Sequence, residues 1–248
     1  MNLPPDKWLS PPADFDLKDD DEAHLWRIDL DREFSAVQSA FEILSSDERQ
    51  RAEKYHFETD KKHFIVARAA LREILSRYLH IEPHRISFSR NQYGKPSVSA
   101  EISNNLIEFN FSRSREIALC VVTRGRAIGV DIEFVNEDSA NLEIVERFFS
   151  PDEITALKEI PVDLKTAAFF SCWTRKEAFV KAVGQGLSYP LQNFSVSVKP
   201  EEVAPLLTVN YNRENSDWSL IYFSPNPDYA AALAIEGAMP TLSFWDLS

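Results

Sequence analysis

A pattern occurs twice in this chain, and that repeat limits the folds open to it. Ser45-Ser46-Asp47-Glu48 and Ser150-Pro151-Asp152-Glu153 each follow a strand-like run and a short helical one. Each offers a serine N-cap with acidic residues in the turn behind it. Each then leads into a long helical pattern, opened by Asp60 in the first case and by Asp163 in the second. Self-similarity on this scale predicts two related α+β lobes rather than one large domain. At 248 residues the chain has enough for two lobes of about 120 residues, each able to bury its own core.

Taken in order, residues 1–22 contain Pro4, Pro5, Pro11 and Pro12 and end in Asp19-Asp20-Asp21-Glu22. That composition predicts a flexible tail, with Trp8 the residue suited to pin it. The first lobe is read as 23–125. It has a strand at 24–30, helical patterns at 34–44 and from Asp60 to Tyr78, and strands at 86–89, 106–111 and 117–123, with a turn at Tyr93-Gly94-Lys95-Pro96. The second lobe is read as 126–248. Its strand at 127–135 is followed by helices at 142–149, from Ser150 and from Asp163, then strands at 194–198, 218–223 and 229–235. No pattern is legible after Gly237.

Two acidic stretches stand out. Along 127–135, Ile128, Val130, Ile132 and Phe134 face one side of a strand, and Asp131 and Glu133 project together from the other. About forty residues on, Glu177 and Lys181 lie four apart on one face of the helical run 169–183, with Lys176 on another face and Gly184 and Gly186 where a helix would stop. Taken singly, these are a solvated strand end and a surface ion pair. Taken together, two carboxylates on one strand face repel unless a cation sits between them. Mg2+ is the economical partner, because it takes oxygen ligands and completes its shell with water and substrate phosphates. Glu177 could supply a third oxygen.

Composition narrows the classes. Hydrophobic residues make up 44% of the chain, as in an ordinary globular protein. Its apolar runs fall far short of the roughly 20 residues that span a bilayer, and its first residues lack a basic region followed by an apolar one, so the chain reads as cytoplasmic. A net charge of −12 disfavours nonspecific binding to nucleic acid or anionic membrane, so any phosphate site must be local. Cys120 and Cys172 have no metal-binding spacing and read as buried thiols.

Gly129-Val130-Asp131-Ile132-Glu133, followed by Trp173-Thr174-Arg175-Lys176-Glu177-Ala178-Phe179-Val180-Lys181, resembles the two signature motifs of the Sfp-type 4'-phosphopantetheinyl transferases in order and spacing. The likeness continues through Gly184-Gln185-Gly186-Leu187-Ser188 and 191–196. It implies two similar lobes related by a pseudo-twofold, each a small antiparallel sheet packed with helices, with the active site in the cleft between them. It also implies transfer of phosphopantetheine from coenzyme A to a serine of an apo carrier protein, with release of adenosine 3',5'-bisphosphate. Asp131, Glu133 and Glu177 would hold Mg2+, Glu177 would accept the serine proton, and Lys181 would steady the leaving phosphate. By the same resemblance Ser112, Arg113, Lys95, Arg51 and His63 face coenzyme A, with Arg113 where the family usually has histidine. A non-catalytic coenzyme A or carrier-protein binder and a Mg2+-dependent nucleotide hydrolase are the competing readings. Joined pseudo-lobes predict a monomer. Carrier proteins are generally acidic, so docking on this acidic chain is expected to be local and apolar, with at least one of Phe148, Phe149, Ile154 and Leu157 exposed near Glu177.

Overall fold

In the computed structural model, residues 8–12, 16, 17, 19–102, 106–136, 141–200, 204, 205, 208, 209 and 217–247 are described. The first lobe runs β1 (Glu22–Asp29), α1 (Phe34–Ile43), α2 (Ser46–Ala52), α3 (Glu58–Leu79), β2 (Phe88–Arg90), β3 (Pro96–Val98), β4 (Ile107–Ser114) and β5 (Ile117–Arg124). The second begins the same way, with β6 (Ile128–Phe134), α4 (Leu142–Phe148), α5 (Pro151–Glu159) and α6 (Lys165–Val183). Then come short β7 (Phe194–Ser195), β8 (Ala204–Pro205) and β9 (Thr208–Val209), and longer β10 (Trp218–Phe223), β11 (Tyr229–Glu236) and β12 (Thr241–Leu247). One four-stranded sheet is ordered β12-β1-β5-β4 and the other β6-β11-β10-β8.

Each sheet buries one face under its own long helix. Trp26, Ile28, Phe109, Cys120 and Val122 meet Leu71, Ile74 and Leu75 of α3, while Ala230, Ala232 and Leu220 meet Phe179 and Ala182 of α6. The opposite faces pack on one another, Leu25, Leu119 and Val121 against Val130, Ile132 and Leu233. Strands covered on both sides need no polar alternation. That is why β5 and β11 are apolar almost throughout.

The repeat is visible in atomic detail. Both predicted serine caps are present and each forms a capping box, Ser45 with Glu48 and Ser150 with Glu153. Each capping glutamate also anchors a buried cation of the following long helix. Glu48 Oε2 accepts from Arg72 Nε at 2.7 Å, and Glu153 accepts from Lys176 Nζ at 2.7 and 2.8 Å. The separations along the chain are 24 and 23 residues. Lys176 is therefore a structural anchor on a face away from Glu177, and its ammonium also reaches Phe194 O at 2.8 Å.

Several expectations need correction. Asp60 and Asp163 do not cap the long helices. α3 starts earlier, behind Phe57, which leaves Asp60 in its first turn, and Asp163 lies in a separate 3-10 turn ahead of α6. The predicted strand at 194–198 shortens to Phe194–Ser195. The segment after Gly237 is not featureless: β12 pairs in parallel with β1, Phe244 opposite Leu25, so the chain's end joins the first lobe's sheet and the division at 125/126 misplaces it. The predicted N-terminal tail is not loose where it is described. Trp8 is buried edge-on against Phe244 under the Arg27 guanidinium, Leu9 bridges to Trp245, and Leu17 is wholly buried. No helix among the described residues is long and apolar enough to cross a membrane.

Candidate active site

The site forms where the two sheets meet edge to edge, β4 of one beside β6 of the other. These edges are joined by side chains. Asn110, Ser112 and Ser114, alternate residues of β4, face β6 in register. Asn110 Oδ1 accepts Val130 N–H at 3.0 Å, Ser112 Oγ donates to Asp131 Oδ1 at 3.0 Å, and Ser114 Oγ donates to Glu133 Oε2 at 3.3 Å while accepting Phe134 N–H at 3.0 Å. This row fixes which way the β6 carboxylates point.

Helix α6 supplies the other half. A Cβ at Gly129 would overlap the backbone of Ala178 and Ala182, so only glycine lets the helix lie this close to the strand. The closeness brings Lys181 within reach: its Nζ donates to Asp131 Oδ1 at 2.6 Å and to Ser112 Oγ at 2.8 Å. Asp131 is buried, yet among the described residues its Oδ2 has no hydrogen-bond partner, and Glu177 Oε1 one helical turn before Lys181 is likewise buried and unpartnered there. Burial, and then the neighbouring Asp131 charge, push the Glu177 carboxyl up to about 7 against the pull of Lys181. Glu133 is raised by burial and by Asp131, opposed by Lys181 and by donors from Ser114 and Trp173.

Two unpaired carboxylate oxygens and two carboxyls raised by burial and by the Asp131 charge suit a hard divalent cation, which supplies the charge they lack. Among the described residues no three carboxylate, imidazole or thiol groups are gathered to hold an ion as they stand. The Lys181 ammonium holds the inner oxygen of Asp131 instead.

Comparison with known proteins agrees with this geometry. Residues 127–234 match the family model described as the 4'-phosphopantetheinyl transferase superfamily, and residues 31–125 match that described as 4'-phosphopantetheinyl transferase, N-terminal. The chain is 36% identical over 238 residues to the 4'-phosphopantetheinyl transferase HetI of Nostoc sp. (strain PCC 7120), covering 96% of this chain and 97% of that one. The chain belongs to the 4'-phosphopantetheinyl transferase family. It is also 31% identical to the transferase Sfp of Bacillus subtilis (strain 168), over 69% of this chain and 75% of that one. A further Bacillus subtilis 4'-phosphopantetheinyl transferase matches at 27% over 86% and 96%. Membership decides between the readings the residues left open, in favour of a transferase.

The remaining predicted ligands of this transferase fall in different places. Ser112 is in the site. Arg113 beside it is exposed, and its side chain makes no hydrogen bond or ion pair among the described residues. Arg51 lines a basic cavity of about 370 Å³ together with Arg68, Arg72, His84, Arg85 and Arg90, none of the last five foreseen. His63 does not line it; it is buried on α3. Lys95 is not presented to solvent as a phosphate ligand, because its ammonium donates to Ala182 O at 2.8 Å and Ile128 O at 3.4 Å. Of the four apolar residues considered for docking, Phe149 is fully buried and Phe148, Ile154 and Leu157 are half-buried, with Phe148 edge-on to Trp173. The side chain of Leu187 lies outside the described residues. The close helix contact at Gly129 and the roles of Asn110 and Ser114 were not assigned from the sequence, although a glycine inside a strand and alternating polar residues on an apolar one were visible signals.

Proposed function

We propose that this transferase moves phosphopantetheine from coenzyme A to a carrier-protein serine at the β4–β6–α6 seam, with Mg2+ held by Asp131, Glu177 and Glu133. The observation that carries this reading is the pair of buried, unpartnered oxygens, Asp131 Oδ2 and Glu177 Oε1, beside the Lys181 ammonium. When bound, the ion would neutralise charge on the substrate's phosphates.

The chain's own groups divide the rest of the work. Glu177, its Oε1 buried one helical turn before Lys181 on α6, is placed to accept a hydroxyl proton, directly or through water. Lys181 supplies a fixed positive charge one turn away for the departing phosphate, and Ser112 offers it a hydroxyl. Arg113, exposed and uncommitted on the same strand, supplies a permanent charge for a coenzyme A phosphate. The cavity at Arg51 is the place for the phosphate-bearing nucleotide end, since Arg51, Arg85 and Arg90 line it beside Arg68 and Arg72, whose charge Glu48 takes up, in a chain of net charge −12. An acidic carrier would dock through apolar contacts such as half-buried Phe148, next to Trp173.

Arg51→Ala and Arg90→Ala test the cavity's assignment. Each is expected to raise the coenzyme A KM by about tenfold, the scale of one charged hydrogen bond, with kcat nearly unchanged. Unaltered KM in both variants would remove the nucleotide from this cavity.

A further inference from the structure

The turn between β2 and β3 belongs to the first lobe, yet its polar groups are committed to the end of the second lobe's α6. Asn91 organises the turn: its Oδ1 accepts Tyr93 N–H and Lys95 N–H, both at 2.9 Å, and its amide nitrogen donates to Gly184 O at 2.8 Å. Lys95 Nζ donates to Ala182 O at 2.8 Å, and at 3.4 Å it also reaches Ile128 O, the first residue of β6. Thus one ammonium ties the last turn of α6 to the start of β6, the two elements that carry Glu177, Lys181 and Asp131. A cation on terminal helix carbonyls is favourable in itself, because those carbonyls lack intrahelical partners and carry the negative end of the helix dipole. Gly184 completes the fit. It ends α6 with a φ of +76°, and a Cβ there would come within 2.8 Å of Lys95 Cδ and 3.1 Å of Asn91 Nδ2.

We infer that Asn91 and Lys95 form a clasp from the first lobe that sets the axial position of α6, and so act on the reaction as positioning residues rather than as ligands of the substrate. Lys181 must reach Asp131 and Ser112 from α6 across the close contact at Gly129. A slip of α6 along its axis moves Glu177 and Lys181 together relative to Asp131. Misplacement of catalytic groups by about 1 Å costs on the order of a hundredfold in rate, without requiring any change in ground-state substrate binding. The inference rests on the reading of Glu177 and Lys181 as the reacting groups.

The test compares Lys95→Met, Lys95→Arg and Asn91→Ala with the unsubstituted chain, by steady-state kinetics with coenzyme A and an apo carrier protein and by amide hydrogen exchange. A clasp predicts that Lys95→Met lowers kcat about tenfold or more while the coenzyme A KM changes by less than about threefold. It further predicts that Asn91→Ala, which removes no charge, shifts kcat in the same direction, that Lys95→Arg recovers part of the loss, and that exchange quickens at the end of α6 in Lys95→Met and Asn91→Ala. A rise in KM of about tenfold with kcat retained, and α6 exchange unchanged, would make Lys95 a phosphate ligand and overturn the inference. If Lys95→Met does not fold, native kinetics and native exchange in Asn91→Ala overturn it equally. Glu177→Gln serves as the control: full activity there defeats the reading of the site, whereas an inactive Glu177→Gln beside normal clasp variants defeats the clasp alone.

Discussion

Replacing Glu177 by glutamine should stabilise the metal-free protein, and only at high pH. The Glu177 carboxyl is raised from 4.5 to about 7 in the folded chain, so between those values the folded state holds a proton that the unfolded state has released. Ionisation therefore works against folding. This group's favourable contribution is complete below about pH 4.5 and is lost as pH rises through 7. At 1.36 kcal/mol per tenfold, the difference sets a ceiling near 3.4 kcal/mol; solvent reaches part of the side chain, so about 1–2 kcal/mol is expected. Glutamine keeps the shape and removes the charge. Urea unfolding in the presence of a chelator should show Glu177→Gln more stable than the native chain by that amount at pH 8, or roughly 2–8 °C in Tm, and indistinguishable from it near pH 4. An equal difference at both pH values, or a loss at pH 8, would refute the account of Glu177 as a carboxylate held against its neighbours' charge.

Other outcomes follow from the same contacts. Asp131→Ala should abolish transfer and, because it strands the Lys181 ammonium now 2.6 Å away, cost about 1–3 kcal/mol in urea unfolding. Lys176→Met should cost about 3–5 kcal/mol by leaving Glu153 charged and buried, and only part of that should return when Glu153→Leu is added, because Ser150 N–H and Val196 N–H then lose their acceptor. Gly129→Ala should lower both Tm and kcat, since α6 must retreat from β6 to make room. Arg113→Ala should raise the coenzyme A KM by about ten- to a hundredfold, and Arg113→His should recover much of it.

Local signals in the sequence were dependable where chemistry acts over a few residues. Ser45 with Glu48 and Ser150 with Glu153 cap as their spacing requires, and the alternation of β6 sends Ile128, Val130 and Ile132 into the core between the sheets and Asp131 toward α6. What was illegible depends on distant partners. β12 shows no clear pattern because it is an edge strand whose identity comes from pairing with β1 some 220 residues earlier. Lys95 looks like an exposed turn lysine until α6 ends beside it. The repeat also conceals a divergence. Arg72-Glu73 and Arg77 on α3 recur as Lys176-Glu177 and Lys181 on α6, but Arg77 lies over the Trp26 ring at 5.5 Å where Lys181 finds Asp131.

The central claim is that the Asp131–Glu177–Lys181 seam transfers phosphopantetheine with the help of a divalent cation. The most direct measurement is the mass of an apo carrier protein after incubation with the native chain, coenzyme A and Mg2+, repeated with chelator and with Asp131→Asn. The account predicts addition of one phosphopantetheinyl group by the native chain with Mg2+, and none in the other two cases. Modification at an undiminished rate with chelator present, or by Asp131→Asn, would contradict it.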